Sequence, residues 1–372
     1  MISVTSLMES LVAVRTKRCQ SLLQLSQKQW SACLLQFEQL QQQLCWSETT
    51  HRADVHPVMR EFGIFSGYRH TGRGWGYYLR SAFRLHNETL NWLSHALGSL
   101  LIIGLGAVLT LRLPATADPV DVRLAWLFCL TSALMHTVSA LAHLMHNHSE
   151  LSHCLVFFAD NAAVGLASYV INLLGVAFFS SHSYYSFIGP ATMPTLVFGT
   201  ICMSSGFSLA LAAYRRRYNP ATSLLMFGPS SCFLFFGLAP VIERRLLSPD
   251  EPEMLGMTHY YLFFLAILCY ATCFPECLWP GRFDLLLHSH QLFHCLATAS
   301  HCMLLSSVFS LISDDSPHLF SKRSSEWVSM ETACRGLGVA FVFSVCIVAL
   351  LAKAFRYDTS FSSRASTCCK AN

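Results

Sequence analysis

The chain has 372 residues, of which 12% are charged and 53% apolar or aromatic, with a net charge of +4 and no run of five or more basic residues. A soluble domain carries about 25% charged residues, so this balance, together with a mean hydropathy of +0.43, is that of an integral membrane protein. The same modest charge excludes a nucleic-acid-binding footprint.

Residues 1–60 form the polar N-terminal region, expected in the cytosol. Its first stretch, MISVTSLMESLVAVRTKRCQ, carries Glu9 and has its basic cluster after the apolar part, which is not the order of a signal peptide. QSLLQLSQKQWSACLLQFEQLQQQL then places leucines at helical spacing against a Gln-rich face. This predicts an amphipathic helix resting on a membrane surface, on a partner or in solvent. Residues 61–94, rich in Gly, Arg and aromatics, have the composition of a juxtamembrane segment lying along the headgroups.

Apolar segments follow at 95–112, 122–145, 154–179, 191–213, 222–241, 258–275, 287–312 and 336–354. Most approach the ~20 residues that a helix needs to cross the hydrocarbon core. The expected fold is all-α: a polytopic bundle of seven transmembrane helices over 95–312, an extracellular loop over 313–335, an eighth helix over 336–354 and a cytosolic tail over 355–372. Lys and Arg near the span ends are more numerous on the side that carries the N-terminus, which places that side in the cytosol. The glycosylation patterns at Asn87 and Asn147 would then face the cytosol and stay unmodified. Cysteines scattered singly through apolar segments, such as Cys129, Cys202, Cys232, Cys269 and Cys346, read as small hydrophobes. The Cys368-Cys369 pair outside the spans has the pattern of a palmitoylation site.

Ionisable side chains inside spans are costly and usually face a bundle interior. Ser139 and His143 lie four apart near the end of the second span, Asp160 lies in the third, and His290 and His294 lie four apart at the start of the seventh. A spacing of four puts each pair on one helix face. Because crossings alternate, the end of the second span and the starts of the third and seventh lie on one side. His143, Asp160, His290 and His294 therefore share a depth. Three neutral imidazoles are the protein share of a catalytic zinc site. Asp160 would serve as a nearby base and Ser139 as a hydrogen-bonding partner of water or of a substrate carbonyl. Among the neighbouring histidines, His136 and His301 read as packing or hydrogen-bonding residues, and His288 as a residue at the membrane interface.

FSGYRH, HNETLNWLSH, SALAHLMHNHSELSHCLVFFAD, PGRFD and HSHQLFH, in that order, resemble the signature set of the progestin and adipoQ receptor family, particularly its membrane progestin receptor branch. The resemblance implies a zinc ion on His143, His290 and His294, with Ser139 and Asp160 completing the polar shell. Glu88, Asn91 and His95 fall on the family's first motif. The chain departs from the family pattern at Asn161, where Tyr is usual, and at Leu93-Ser94-His95, where Trp-Thr-His is usual. The resemblance implies a multi-pass plasma-membrane receptor for a steroid of the progesterone type, surrounded by membrane lipids and signalling through a heterotrimeric G protein. The alternative is a zinc-dependent lipid amide hydrolase of the ceramidase kind, with Asp160 and Ser139 as its catalytic groups.

Overall fold

A computed structural model describes residues 27–214, 233–243, 246, 255–313 and 329–357. The Arg215–Arg217 cluster, Arg244, Arg245, residues 314–328 of the predicted extracellular loop and the Cys368-Cys369 pair lie outside the described residues. Helix α1 is described over 27–44. A short two-stranded antiparallel ribbon pairs β1 (Thr49–Thr50) with β2 (Tyr68–Arg69). The helices that follow are α2 (Trp75–Ser81), α3 (Thr89–Thr110), α4 (Pro119–Met145), α5 (Glu150–Leu174), α6 (His182–Tyr214), α7 (Phe233–Glu243), α8 (Leu255–Thr272), α9 (Ser289–Ser313) and α10 (Met330–Tyr357). Among the described residues six helices are long and apolar enough to span a membrane, and α7 and α8 are shorter apolar helices. The protein is an all-α polytopic membrane protein, and its eight apolar helices fall on the eight predicted segments.

Local chemistry sets the helix starts near the site. Asp118 caps α4 by accepting from Val120 N ahead of Pro119, whose missing N–H costs nothing at the first position. Ser149 caps α5 by accepting from Ser152 N. Before α3 the chain turns on itself: Thr89 Oγ1 accepts from His86 N at 2.8 Å and His86 Nδ1 accepts from Glu88 N at 3.1 Å. This turn fixes Glu88 at the head of α3.

The interior is built where α3, α4, α5 and α9 meet, around Phe128, Tyr169, Leu173, Leu305 and Phe309. Helix α10 lies outside that group against α5 and α6. It docks through Gly336, where an added Cβ would stand 2.2 Å from the Tyr169 hydroxyl, and that hydroxyl donates to Ala333 O at 3.1 Å. Its Phe341, Val342 and Phe343 face outward, as side chains in contact with lipid would.

The segment over 61–94 folds over one end of the bundle. Its centre is Arg69, a fully buried side chain. Arg69 Nη2 donates to His143 O at 2.7 Å and to Asn147 Oδ1 at 2.6 Å, and Nη1 to Leu144 O at 2.6 Å and to Ser81 Oγ at 3.1 Å. Burial lowers its guanidinium to about 10, with Glu88 opposing, so it stays charged at neutral pH. Asn87 and Asn147 are both buried in the fold.

Helix α1 takes the chain itself as its partner. Gln41 Oε1 accepts from Leu285 N at 2.9 Å and Leu286 N at 3.0 Å, and its amide donates to Arg282 O at 2.7 Å. Glu38 pairs with Arg282, and Phe37 packs on Phe283 at 5.6 Å between ring centres. Gln41→Ala leaves two loop N–H groups without an acceptor, at a cost of about 1–3 kcal/mol. Amide exchange at Leu285 and Leu286 is expected to speed by on the order of tenfold; unchanged exchange by mass spectrometry would show that the loop holds its own shape.

Candidate metal centre

The end of α4 and the start of α9 bring together the three histidines singled out in the sequence. Ring centres stand 5.0 Å apart for His143 and His290, 5.0 Å for His143 and His294, and 4.4 Å for His290 and His294. His143 and His294 are buried, while His290 is partly open at the rim.

The orientation of the rings decides which nitrogens are free. His143 Nδ1 donates to Glu88 Oε2 at 2.8 Å, which turns its Nε2 toward His290 Nε2 at 3.4 Å. Ser94 Oγ stands 3.4 Å from His294 Nδ1. Two imidazole nitrogens bound ~2.0–2.1 Å from a tetrahedral ion stand roughly 3.3 Å apart. The His143–His290 spacing of 3.4 Å thus fits two ligands of one ion better than a good hydrogen bond. A carboxylate behind a ligating imidazole is the usual device for fixing its tautomer, and Glu88 holds that position.

His95, on α3, is a fourth ring in the cluster, 4.0 Å from His294 between centres. His95, His143 and His294 each bring a ring nitrogen within 4.8 Å of the others, as do Glu88, His143 and His146 with one donor atom apiece. His95 Nδ1 lies 2.8 Å from His136 Nδ1, while its Nε2 is buried without a hydrogen-bond partner. The buried histidine and glutamate groups are therefore able to hold a metal ion.

Asp160 and Ser139 meet as well. Ser139 and His143 both act on the buried Asp160 carboxylate, whose Oδ1 has no hydrogen-bond partner. His136 and His301 are buried, as read from the sequence. His288 departs from its expected place at the membrane interface. It is fully buried, with Nε2 3.2 Å from Asn87 O, because the loop before α9 folds inward under the Gln41 clamp.

The sequence model of the haemolysin-III related family matches residues 83–304. This chain belongs to that family. Within it, the chain is 30% identical to mouse membrane progestin receptor beta over 308 residues, covering 81% of this chain and 85% of the relative. It is 32% identical to human membrane progestin receptor beta over 270 residues, 69% and 73% of the two chains. It is 27% identical to membrane progestin receptor alpha of Cynoscion nebulosus over 312 residues, 82% and 86% of the two chains. These relatives are members of the progestin and adipoQ receptor group that the motif set resembles. The haemolysin-III-related match takes in Glu88, His95, Ser139, His143, Asp160, His290 and His294, and it leaves α1 and α10 outside.

Glu88 is the site residue whose role sequence reading left unassigned. Burial works against its ionisation, but His146 and His143 together outweigh that and hold its carboxyl well below the usual carboxylate range. Its signal was available: an acidic residue between Asn87 and Thr89, three positions before Asn91, at the head of an apolar helix. Asn91 Nδ2 donates to Glu88 Oε2 at 2.8 Å.

Proposed function

We propose that the chain is a plasma-membrane receptor for a steroid of the progestin type, with a zinc ion held by His143, His290 and His294 near the cytosolic end of the bundle. The reading of the ligand is supported by relatives named as membrane progestin receptors that align over most of both chains. The reading of the metal rests on one observation, the 3.4 Å between His143 Nε2 and His290 Nε2 with Glu88 behind His143. A rigid apolar steroid partitions into the bilayer and enters an apolar pocket between helices. The segment over 1–60, the cap over 61–94 and the tail over 355–372 are assigned to the cytosol, the loop over 313–335 to the outside, and a heterotrimeric G protein to the cytosolic face.

Zinc bound to three imidazoles lowers the pKa of a bound water to about 7. Asp160, with one unpartnered oxygen beside His143 and Ser139, favours a second reading, hydrolysis of a lipid amide. In that reading Asp160 would accept the proton of the attacking water and Ser139 would hydrogen-bond the water or the substrate carbonyl.

The test measures zinc content, progesterone binding and ceramide turnover on the detergent-purified protein and on His290→Ala, His294→Ala and His95→Ala. One zinc per chain is expected, lost in the first two variants and kept in the third. Retention in His290→Ala with loss in His95→Ala would move the ligand set to His95, His143 and His294. Progesterone binding without turnover leaves the receptor reading, and ceramide turnover that disappears with zinc establishes the hydrolase.

A further inference from the structure

Helix α2 and the turn after it present three different faces. Tyr77, Tyr78 and Ser81 are buried; Trp75, Leu79 and Phe83 are 51%, 53% and 86% exposed; Arg80 and Arg84 are exposed beside them. Residues four apart share a helix face, so Trp75, Leu79 and Phe83 make one apolar stripe, and Arg80 and Arg84 run along its edge. The stripe continues past Ser81 because the chain keeps turning: Phe83 N donates to Arg80 O at 3.2 Å and Arg84 N to Ser81 O at 3.0 Å. Among the described residues neither arginine is in an ion pair.

The buried face fixes the depth of this helix. Arg69 Nη1 donates both to Ser81 Oγ at 3.1 Å and to Leu144 O, at the end of α4, at 2.6 Å. The Trp75 ring lies flat on that of His148, in the turn between α4 and α5, with ring centres 4.0 Å apart. Helix α2 is thus pinned beside the turn where one span ends and the next begins. A helix at that level with an apolar face and a basic face lies in the plane of the interface, its apolar side in the acyl boundary and its basic side among headgroups. On the basic side Arg80 and Arg84, with Trp46, Glu48 and Phe83, line an open hollow of about 410 Å³. Trp46 is held there by stacking on the buried Tyr77 at 4.9 Å between ring centres. Two arginines against the one carboxylate of Glu48 leave the hollow positive, and planar guanidinium forks match phosphate oxygens.

We propose that Arg80 and Arg84 bind the headgroup of an anionic phospholipid in the leaflet at this end of the bundle, while Trp75, Leu79 and Phe83 lie among the upper acyl chains. A dissolved phosphate would use the arginines alone; the exposed apolar stripe at their edge fits a lipid. With this end assigned to the cytosol, the leaflet is the one that carries the anionic lipids. The site stands apart from the steroid and metal readings, and its test involves neither.

The full chain in neutral detergent is titrated with phosphatidylserine and with phosphatidylcholine, and bound lipid is counted by native mass spectrometry. A preference for phosphatidylserine is expected, about fivefold for each arginine and on the order of twentyfold for the pair. Arg80→Gln and Arg84→Gln should each lose about fivefold, and the double variant the whole preference. Arg112→Gln, an exposed cation just past the other end of α3, should change nothing. No preference on the unmutated chain, a preference that survives the double variant, or an equal loss in Arg112→Gln overturns the site. Displacement of the lipid by inorganic phosphate at equal concentration overturns the lipid as its ligand. In bilayer discs, emission from Phe83→Trp should be quenched by lipids brominated on the acyl chain; unquenched emission puts the stripe in water and overturns the proposal even where the arginine variants behave as expected.

Discussion

Arg69→Ala is expected to be the most damaging single change in the described chain. The side chain is fully buried and gives four hydrogen bonds, two of them to carbonyls at the end of α4. Removing it strands those acceptors and Asn147 Oδ1 away from water, and breaking a buried charged network of this kind costs about 3–5 kcal/mol. A fall on the order of 10 °C in the thermal unfolding of the detergent-purified protein is expected. Arg69→Lys keeps the charge but not the planar fork that reaches several acceptors at once, so it should recover only part of the loss. If Arg69→Ala unfolds within a degree or two of the parent, the cap is not anchored through this side chain.

The second large effect concerns metal affinity with the fold kept. Glu88→Gln preserves the shape of the side chain and its contact with Asn91, but it replaces a charged acceptor behind His143 with a neutral amide. Loss of such a carboxylate typically weakens a metal site 10–100-fold. Titration against a zinc chelator should show a weakening of that size, with helical content and thermal unfolding close to those of the parent. An unchanged zinc affinity would mean that His143 is oriented by the helix alone.

The spans were legible in the sequence because each reports on its own residues: an apolar run of about the right length is enough. The depth shared by His143, Asp160, His290 and His294 was legible for a related reason, since alternation of crossings needs only the order of the spans. What escaped depends on partners far along the chain. Arg69, in a stretch rich in glycine and aromatic residues, has the local look of a headgroup-facing arginine, and only its contacts with residues 143–147 bury it. His288 sits among polar neighbours at a helix start, which reads as an interface position. Its burial comes from a loop drawn inward by Gln41. Glu88 resembles an ordinary helix-start acid until His143, on α4, and His146, just past its end, are placed against it.

Gln41 also says something about the order of events during synthesis. It is followed by the whole span-forming stretch up to its acceptor and donor partners, which lie 241 to 245 residues further on. Chains are made from the N-terminus, and early segments wait for their partners. Helix α1 therefore emerges first but cannot dock until the loop before α9 has been delivered to the same end of the bundle. Because that loop leads directly into His288 and His290, docking of α1 and alignment of the last histidine pair become one event. The clamp thus closes only on a chain in which α9, with the last histidines of the metal centre, has arrived, so an incomplete bundle leaves α1 and its apolar residues undocked.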